Sequence, residues 1–304
     1  MITIIFGQTA VGKTQLALEL AKKIDAEIIS ADSMQVYRGM DIGTAKPSKK
    51  EQQGIPHHLI DIKDPNEEWT VSDFVQETQK LQAKIQKKGK VPIIVGGTGL
   101  YLWSLINGYT FPKVPADKKI REKLEARPLT DLHALLSTID PISAAKIHPN
   151  DKKRIVRALE VYEITGKSLS SNLAKEPRRR ACRQAGSVSG SEHKLIGLKL
   201  PREILYERIN ERVDQMIKHG LVKEVEGLLK QGYSKELPAF QALGYKEVIA
   251  YLNGHWTLDK MTEELKKRTR HFARRQTTWF KRFESVKWFS QPVDIASIID
   301  YINN

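Results

Sequence analysis

The stretch GQTAVGKT at residues 7–14 constrains the fold of this chain more than any other part of its sequence. It matches the phosphate-loop pattern GxxxxGK[ST] at every fixed position. The β-branched apolar run Ile2–Phe6 before it has the length of a strand, and the apolar side chains of Thr14–Lys23 after it recur on one helical face. Strand, loop and helix therefore stand in the order that a phosphate-binding loop requires.

The residues of this loop have separate physical tasks. The glycines allow the backbone to wrap around an anion with its N–H groups pointing inward, and the start of the following helix adds a favourable dipole. Lys13 supplies a mobile positive charge, and the Thr14 hydroxyl is a suitable ligand for a Mg²⁺ ion that bridges phosphate oxygens. The predicted phosphate-binding residues are Gly7, Gln8, Thr9, Ala10, Val11, Gly12, Lys13 and Thr14. The pattern indicates a diphosphate or a triphosphate but does not identify the group that carries it.

A later apolar run, Val91–Val95, is the best candidate for a second buried strand, and two glycines follow it rather than an acid. An ATPase or GTPase usually has an Asp at the end of such a strand to hold its magnesium ion. The missing acid argues against a nucleotide hydrolase, whereas a small-molecule kinase stays open because some kinases manage without it. Thr98 follows the glycines and opens another helical pattern, at the strand end where parallel α/β sheets bind ligands.

Asp32 is a candidate general base. It follows the predicted strand Glu27–Ser30, again on the ligand side of such a sheet, where a carboxylate is able to accept a proton from a nucleophile. It is equally suited to cap a helix that begins at Ser33, because Asp is common at helix N-termini. Its position in the sequence does not separate these two roles.

The chain carries a formal net charge of +14, which favours a polyanionic partner such as nucleic acid or an anionic lipid surface. Its single cysteine excludes an internal disulfide and a cysteine-based zinc site, and it fits a reducing compartment. No apolar run in the sequence approaches the ~18 residues of a transmembrane helix. The phosphate-loop strand begins almost at once, so we expect no signal peptide and a cytoplasmic protein without membrane contact.

Several longer segments occur in a fixed order along the chain: GQTAVGKT, ADSMQVYRGMDIGTAKP, HHLID, VGGTGLYL, KRIVRALEVYEITGK, RINERVDQMIKHGL and QALGYKE. Together they resemble the bacterial tRNA dimethylallyltransferase family, also called tRNA isopentenyltransferases. The resemblance covers nearly the whole chain, and the second and fourth segments are far more specific than the phosphate loop alone. Gln8 departs from the proline that this family commonly has, a change that backbone capture of phosphate tolerates.

The resemblance implies an α/β fold: a P-loop NTPase-like core with a central parallel sheet flanked by helices, plus a helical insertion domain. The residue patterns are consistent with it, because strand-like runs lie in the first hundred residues and at Leu195–Leu200, with helical patterns between them. We expect a catalytic core of residues 1–112 and 195–304 and an insertion of residues 113–194. The basic stretch 174–194 is more arginine-rich than the family usually has, and its composition is typical of disorder.

The resemblance also implies a reaction. In this family the loop binds dimethylallyl diphosphate rather than a nucleoside triphosphate. The dimethylallyl group is transferred to the exocyclic amine of the adenine on the 3′ side of the anticodon, and diphosphate is released. The implied partners are dimethylallyl diphosphate, Mg²⁺ and the tRNA anticodon stem-loop, with the protein acting as a monomer.

Catalytic roles follow from the same resemblance. Asp32 becomes the general base for the amine proton, while Lys13, Thr14 with its magnesium ion, and Arg212 hold the departing diphosphate. Fixed cations aimed at leaving oxygens favour their departure. Arg208 lies four residues before Arg212 and shares its helical face, although two arginines on a solvated helix are also unremarkable.

The residues implied to contact tRNA are Asp32, Ser33, Met34, Gln35, Thr98, Arg121, Lys153, Arg154, Ile155, Val156, Arg157, Gln241, Ala242, Leu243, Gly244, Tyr245 and Lys246. Structural alternatives stay open for three of these segments. Thr98 is a natural helix N-cap, and residues 153–157 fit an amphipathic helix with Ile155, Leu159 and Tyr162 inward. Residues 241–246 fit a helix start after a proline, so for them the RNA role rests on the resemblance alone.

Residues 257–283 predict one long C-terminal helix. From Asp259 to Lys287 the chain has ten Lys or Arg and four Asp or Glu, so its cationic face is suited to follow RNA phosphates. We expect its buried stripe to comprise Leu265, Phe272, Trp279 and Phe283. Rival hypotheses are a phosphate-loop kinase, an RNA-binding protein with a regulatory nucleotide loop, and an adenylate isopentenyltransferase that modifies a free nucleotide.

Overall fold

The computed structural model describes residues 2–108, 114–172 and 193–304. They belong to two compact units, one formed by Met1–Ile106 with Ser189–Asn304 and the other by Asn107–Val188. The first unit holds the sheet, and all the regular elements described in the second are helices. No helix among the described residues is both long enough and apolar enough to span a membrane.

Six strands form one sheet in the first unit, in the order β3-β2-β4-β1-β5-β6, and every neighbouring pair is parallel. The strands are β1 Ile2–Gly7, β2 Ala26–Ser30, β3 His57–His58, β4 Val91–Gly96, β5 His193–Lys199 and β6 Lys287–Ser290. Ile4 of β1 pairs with Ile94 of β4, and both are fully buried. Continuous apolar strands of this kind are typical of a parallel sheet covered on both faces.

Fourteen α-helices are described. They are α1 Lys13–Lys23, α2 Lys49–Gln52, α3 Val71–Lys87, α4 Gly99–Ile106, α5 Lys118–Glu125, α6 Leu129–Ile139, α7 Pro141–Lys146, α8 Lys152–Thr165, α9 Leu169–Asn172, α10 Arg202–Lys218, α11 Leu221–Lys230, α12 Tyr245–Leu252, α13 Leu258–Phe280 and α14 Ile295–Asn303. A short 3₁₀ helix, Pro238–Gln241, lies between α11 and α12.

Helices cover both faces of the sheet. Ile5 belongs to a core cluster with α1, α10 and α14, whereas its neighbour Ile4 belongs to a cluster with α3, α4 and the end of α13. Successive side chains of a strand point to opposite faces, so the two clusters lie on opposite sides of the sheet. A third cluster joins α11 and α12 to the segment after β2 through Val36, Met40 and Tyr245.

Local signals explain how two of these helices begin. At α3, Thr70 and Asp73 form a capping box in which each side chain accepts a hydrogen bond from the backbone N–H of the other residue. At α1, Gly12 precedes the helix with a left-handed φ of 97° and no side-chain cap. The first N–H groups of α1 are therefore left for another acceptor, which is the property that an anion-binding helix start needs.

The second unit has its own apolar core. Leu124, Leu132, Leu136 and Leu159 pack together and are almost completely buried. In the same unit, the buried carboxylate of Glu160 accepts hydrogen bonds from Arg121 and Arg157 and from the backbone of residue 117. Burial alone raises the pKa of this carboxyl, but these hydrogen bonds and charges leave its pKa below the ordinary value.

The predicted fold class, an α/β core with a parallel sheet flanked by helices, is confirmed. Two short edge strands, β3 and β6, are additional to the strands that the sequence indicates. No helix begins at Ser33, where residues 33–36 form bends and turns, so the helix-cap interpretation of Asp32 is wrong. The expectation for the basic stretch 174–194 falls almost entirely outside the described residues.

The long C-terminal helix is present as α13, but its buried stripe differs from the predicted one. The buried residues are Met261, Leu265, Ala273, Gln276 and Phe280. Of the predicted stripe, Leu265 is correct, Phe272 and Trp279 are half-buried, and Phe283 lies beyond the helix end. The inward face is small or polar where α13 approaches the glycine turn after β4: a Cβ at Gly97 would lie 2.4 Å from Gln276 Nε2.

Candidate functional site

A cavity of about 910 Å³ lies at the carboxyl ends of the strands of the first unit. Residues from the phosphate loop, from the ends of β2 and β4, and from α10 and α13 line it. Among the predicted catalytic and donor-binding residues, the lining includes Thr9, Ala10, Gly12, Lys13, Thr14, Asp32 and Arg212. Its position agrees with the rule that open parallel sheets bind ligands outside their carboxyl edge.

The phosphate loop is held against α13 by two glutamines. Gln276 Oε1 accepts a hydrogen bond from the Thr9 N–H at 2.8 Å, and Gln8 Nε2 donates to the Ala273 carbonyl at 3.2 Å. Lys13 Nζ donates to the Gln8 carbonyl at 2.7 Å, so the lysine side chain folds back over its own loop. Val11 is buried, while Thr14 is exposed beside Lys13 at the start of α1.

Lys13 lies in an electrostatically unusual place. Burial in the cavity wall, and secondarily the positive charge of Arg212, lower the pKa of Lys13 to about 7, while Asp32 opposes this shift. Arg212 has a pKa below its ordinary value because of burial, again opposed by Asp32, but a guanidinium keeps its charge at any physiological pH. Two cations are thus placed near one carboxylate, an arrangement that an incoming anion would balance.

Arg208 and Arg212 both project from α10 into the same cavity. Arg212 is half-buried, whereas Arg208 is exposed, so the two differ in how closely protein surrounds them. The four-residue spacing predicts this shared face. The structure therefore brings both arginines to the phosphate loop, which lies nearly two hundred residues earlier in the chain.

Asp32 stands at the end of β2 with its orientation fixed by backbone hydrogen bonds. Its Oδ1 accepts from the N–H of Met34 at 2.9 Å and from that of Gln35 at 3.4 Å. This is an Asx turn, which uses the same side-chain chemistry as a helix cap without starting a helix. Both bonds use Oδ1, and no hydrogen bond to Oδ2 is found within the described parts of the chain.

Gly96, the last residue of β4, and Gly97 after it line the cavity. A Cβ at Gly96 would lie 2.2 Å from the Ala31 carbonyl oxygen, so only glycine fits beside the end of β2. Thr98 Oγ1 accepts a hydrogen bond from the Ser33 N–H at 3.2 Å. The Thr98 carbonyl also accepts hydrogen bonds from the N–H groups of Tyr101 and Leu102 in the first turn of α4. Thr98 therefore joins the Asp32 turn to α4, and its position before α4 fits the helix-start alternative as well.

Hydrogen bonds also fix the orientation of the Gln35 side chain. It accepts a hydrogen bond from Ser30 Oγ at 2.9 Å and donates to the carbonyls of Thr44 and Ala45, both at 3.3 Å. Met34 packs partly into the third core cluster. Of the predicted contacts in residues 32–35, the structure places Asp32 and Gln35 in the cavity lining.

A carboxylate that the sequence did not single out anchors the next part of this segment. Glu224 on α11 accepts hydrogen bonds from the backbone N–H groups of Asp41, Ile42 and Gly43 at 2.7–3.2 Å. It also accepts a hydrogen bond from the Tyr245 hydroxyl at 2.6 Å. Burial and the adjacent Glu224 carboxylate raise the pKa of Tyr245 far above its ordinary value.

The segment 241–246 is thereby tied to the segment after β2. Tyr245 is fully buried, and Ala242 and Leu243 pack partly into the third cluster. Gln241 is exposed and Lys246 half-exposed, so these two side chains are the ones available to a partner. Gly244 has a φ of 94°, in the left-handed region that favours glycine, and lies directly before α12.

The second unit holds the remaining predicted tRNA contacts. Ile155 and Val156 are buried in its core, which the amphipathic-helix alternative predicts for Ile155, whereas Tyr162 is more than one-third exposed. Lys153 and Arg154 are exposed. Arg121 is held by Glu160 through two hydrogen bonds of 2.8 and 3.1 Å.

Sequence reasoning did not single out three residues: Gln276 and Glu224 in the first unit and Glu160 in the second. The only available signal was a polar residue in an otherwise apolar helical stripe, as Gln276 is in α13. No cluster of three or more His, Cys, Asp or Glu that would hold a metal ion is found among the described residues. The Thr14 hydroxyl, exposed at the start of α1 and in the cavity lining, is a fitting protein ligand for a divalent ion that also binds phosphate oxygens.

The family model and the sequence relatives that match this chain agree with one another. The IPP transferase family model matches residues 35–283. The tRNA dimethylallyltransferase of Anoxybacillus flavithermus is 46% identical over 307 aligned residues, covering 99% of this chain and 96% of the relative. The protein of the same name from Bacillus subtilis is 44% identical, covering 97% of this chain and 92% of the relative.

Solved structures are similar over the same span. The crystal structure of the full-length tRNA isopentenylpyrophosphate transferase from Bacillus halodurans has a TM-score of 0.72 and 42% identity, covering 99% of this chain and 95% of that chain. A eukaryotic dimethylallyltransferase acting on tRNA has a TM-score of 0.81 and 31% identity, with 95% and 73% covered.

Proposed function

Because this chain belongs to the IPP transferase family and is a prenyltransferase enzyme of the tRNA dimethylallyltransferase type, we propose the following reaction for the cavity described above. A dimethylallyl group moves from dimethylallyl diphosphate to the exocyclic amine of the adenine on the 3′ side of a tRNA anticodon. The amine nitrogen forms a bond to the allylic carbon, the bond from that carbon to the diphosphate oxygen breaks, and the amine loses a proton.

The departing diphosphate is held by the phosphate loop. The free N–H groups at the start of α1, the Lys13 ammonium and the Arg212 guanidinium converge on the cavity and compensate the charge that grows on the leaving oxygens. A Mg²⁺ ion bound by Thr14 and the diphosphate would add further positive charge. This assistance matters because the exocyclic amine is a weak nucleophile, its lone pair being delocalised into the purine ring.

Asp32 is the proposed general base. The Asx turn fixes its carboxylate at the end of β2, with Oδ2 left to accept the amine proton. The target adenine must leave the stack of the anticodon loop to reach an enclosed site. Gln35 lines the cavity with Asp32, and Thr98 accepts a hydrogen bond from the N–H of Ser33, next to Asp32; we assign both residues to contacts with that base.

RNA contacts outside the cavity are proposed on three surfaces. Gln241 and Lys246 are exposed next to the segment that Glu224 anchors, Lys153 and Arg154 are exposed in the second unit, and α13 carries cations such as Arg274 on its outer face. Such cations add affinity and salt dependence without reading sequence. We propose that a monomer acts in the cytoplasm, where tRNA is found.

The observation that carries this proposal is that Asp32, Lys13 and Arg212 line one cavity, at a phosphate loop whose neighbouring strand β4 ends in glycine rather than in an acid. That combination fits alkyl transfer away from a diphosphate better than phosphoryl transfer from a nucleotide.

The test supplies dimethylallyl diphosphate labelled in its alkyl carbons, Mg²⁺ and unmodified tRNA. Label on tRNA, at the adenine next to the anticodon, is the expected result. Label on free AMP instead would favour a free-nucleotide enzyme, and phosphate transfer from ATP would favour a kinase. RNA binding without any transfer would favour the non-enzymatic alternative.

A further inference from the structure

Gln276 is the buried polar side chain of α13 that touches both glycine-rich turns of the site. Its residue is 5% exposed, and its amide lies against the cavity that holds Lys13. Oε1 accepts a hydrogen bond from the Thr9 N–H at 2.8 Å, and Nε2 donates one to the Gly97 carbonyl at 3.0 Å. One side chain thus joins the phosphate loop after β1 to the turn after β4.

The chemistry of this bridge requires an amide. A backbone N–H only donates and a carbonyl only accepts, so the bridging side chain must present one acceptor and one donor. A glutamate would place a carboxylate against the Gly97 carbonyl oxygen and close to the proposed diphosphate. A methionine has nearly the same length and shape but offers neither hydrogen bond.

The surrounding backbone is shaped for this side chain. Phe6 of β1 pairs with Gly96 of β4, so the two turns begin side by side at the edge of the sheet. A Cβ at Gly97 would lie 2.4 Å from Gln276 Nε2, which means that any larger residue at 97 would displace the amide. The residues at positions 97 and 276 therefore depend on each other.

We propose that Gln276 is a positioning residue for the donor: by joining the Thr9 amide to the Gly97 carbonyl, it holds the phosphate loop in the conformation that binds diphosphate. The inference rests on the proposed function, in which this loop holds the diphosphate of an allylic donor. Gln276 acts through the loop, because its two amide atoms are already engaged with the backbone.

The direct experiment measures binding of inorganic pyrophosphate with Mg²⁺ by calorimetry. Gln276→Met is expected to raise the dissociation constant for pyrophosphate about tenfold, because the loop amide loses its buried acceptor and the loop its fixed conformation. The affinity for tRNA, measured by filter binding, is expected to change less than about twofold, which separates loop positioning from general damage to α13.

Gln82→Met is the matched control. Gln82 is also a buried glutamine, 6% exposed, but it lies on α3 and its Nε2 has no hydrogen-bond partner among the described residues. Pyrophosphate binding should be unchanged in this variant. Gly97→Ala should weaken pyrophosphate binding as Gln276→Met does, and the double variant should be no worse than either single one, because both break the same bridge.

A folded Gln276→Met protein that binds pyrophosphate with unchanged affinity would overturn the proposal, and so would fully additive effects of the two substitutions. If neither variant folds, amide hydrogen exchange of Thr9 in the unaltered protein decides instead. Slow exchange supports the bridge, and exchange at the rate of an open loop refutes it. A protein that binds pyrophosphate but never alkylates tRNA would refute the proposed function. The pyrophosphate-binding test of Gln276 could still be interpreted in that case.

Discussion

Binding of the allylic donor should draw a proton into the site, and the proton should go to Lys13. In the free protein the pKa of Lys13 is about 7, lowered first by burial and then by Arg212. A diphosphate beside its ammonium would favour the charged form and raise this pKa again. Above pH 7, donor binding and protonation of Lys13 are therefore linked, and the affinity for the donor should fall as the pH rises.

The size of the effect follows from the free-state pKa of about 7. At pH 8 about one Lys13 in ten is protonated, so each donor bound should take up about 0.9 proton, provided the bound-state pKa lies well above 8. Between pH 7 and pH 9 the protonated fraction falls about fiftyfold, and the dissociation constant should rise by up to that factor. The pKa of His57, which lines the same cavity, is lowered by burial, so His57 does not titrate in this range.

The assay is calorimetric titration of dimethylallyl diphosphate with Mg²⁺ at pH 8, in two buffers of different ionisation enthalpy. The difference between the observed enthalpies gives the protons taken up. A terminal phosphate has its last pKa at about 6, so the donor itself contributes little at pH 8. Lys13→Met should bind more weakly and take up no proton. Uptake near zero in the unaltered protein, or an affinity independent of pH from 7 to 9, would refute the assigned pKa.

Three further predictions concern single side chains. Asp32→Asn should keep tRNA binding but lose at least ~100-fold in single-turnover rate, the low end for a general base, and a near-normal rate would remove that role. Tyr245→Phe deletes the hydroxyl bonded to Glu224 and should lower the free energy of unfolding by about 1 kcal/mol, measured in urea. Glu160→Gln should lower the free energy of unfolding by about 2 kcal/mol at pH 7. Because the pKa of Glu160 is depressed in the folded state, its contribution to stability is present above the unfolded-state pKa of 4.5 and is lost as the pH falls below that value. The stability of the variant should therefore depend less on acid pH than that of the unaltered protein.

The parts of the site that the sequence could predict are those encoded within a short span. The phosphate loop, its preceding strand and its following helix are contiguous, and so are β4 and its glycine turn. Asp32 was placed correctly because it directly follows β2, and parallel strands bring their carboxyl ends to one edge. Its local conformation was not predictable, since an Asx turn and a helix cap both begin with a carboxylate that accepts hydrogen bonds two or three residues on.

Hydrogen bonds between segments that lie far apart in the sequence could not be predicted from local patterns. Gln276 and Gly97 are 179 residues apart, and Glu224 reaches backbone groups more than 180 residues earlier. Nothing in the local pattern of α13 shows that a glycine turn packs against it. The aromatic spacing of that helix instead suggested Phe272 and Trp279 as core residues, whereas the close approach of Gly97 requires a slender polar side chain at position 276. The edge strand β6 is largely exposed and has the sequence KWFS, so it lacks the apolar run of a central strand.

Two independent physical reasons explain why Gly96 stands at the end of β4, where a nucleotide hydrolase usually has an acid. The first is steric: any Cβ at Gly96 would overlap the Ala31 carbonyl, so an aspartate at this position would force β2 and β4 apart at the active edge. The second is electrostatic. A hydrolase needs that acid to hold a metal ion against a triphosphate, but an alkyl transfer needs the diphosphate to leave with its charge compensated. A carboxylate next to the leaving oxygens would oppose that departure. In the proposed reaction the negative charge stands instead at Asp32, after the neighbouring strand β2, where it would receive the amine proton, and Lys13 and Arg212 would compensate the charge of the departing diphosphate. A carboxylate at Asp32 rather than after β4, with Lys13 and Arg212 in the same cavity, therefore distinguishes this site from a nucleotide hydrolase built on the same loop.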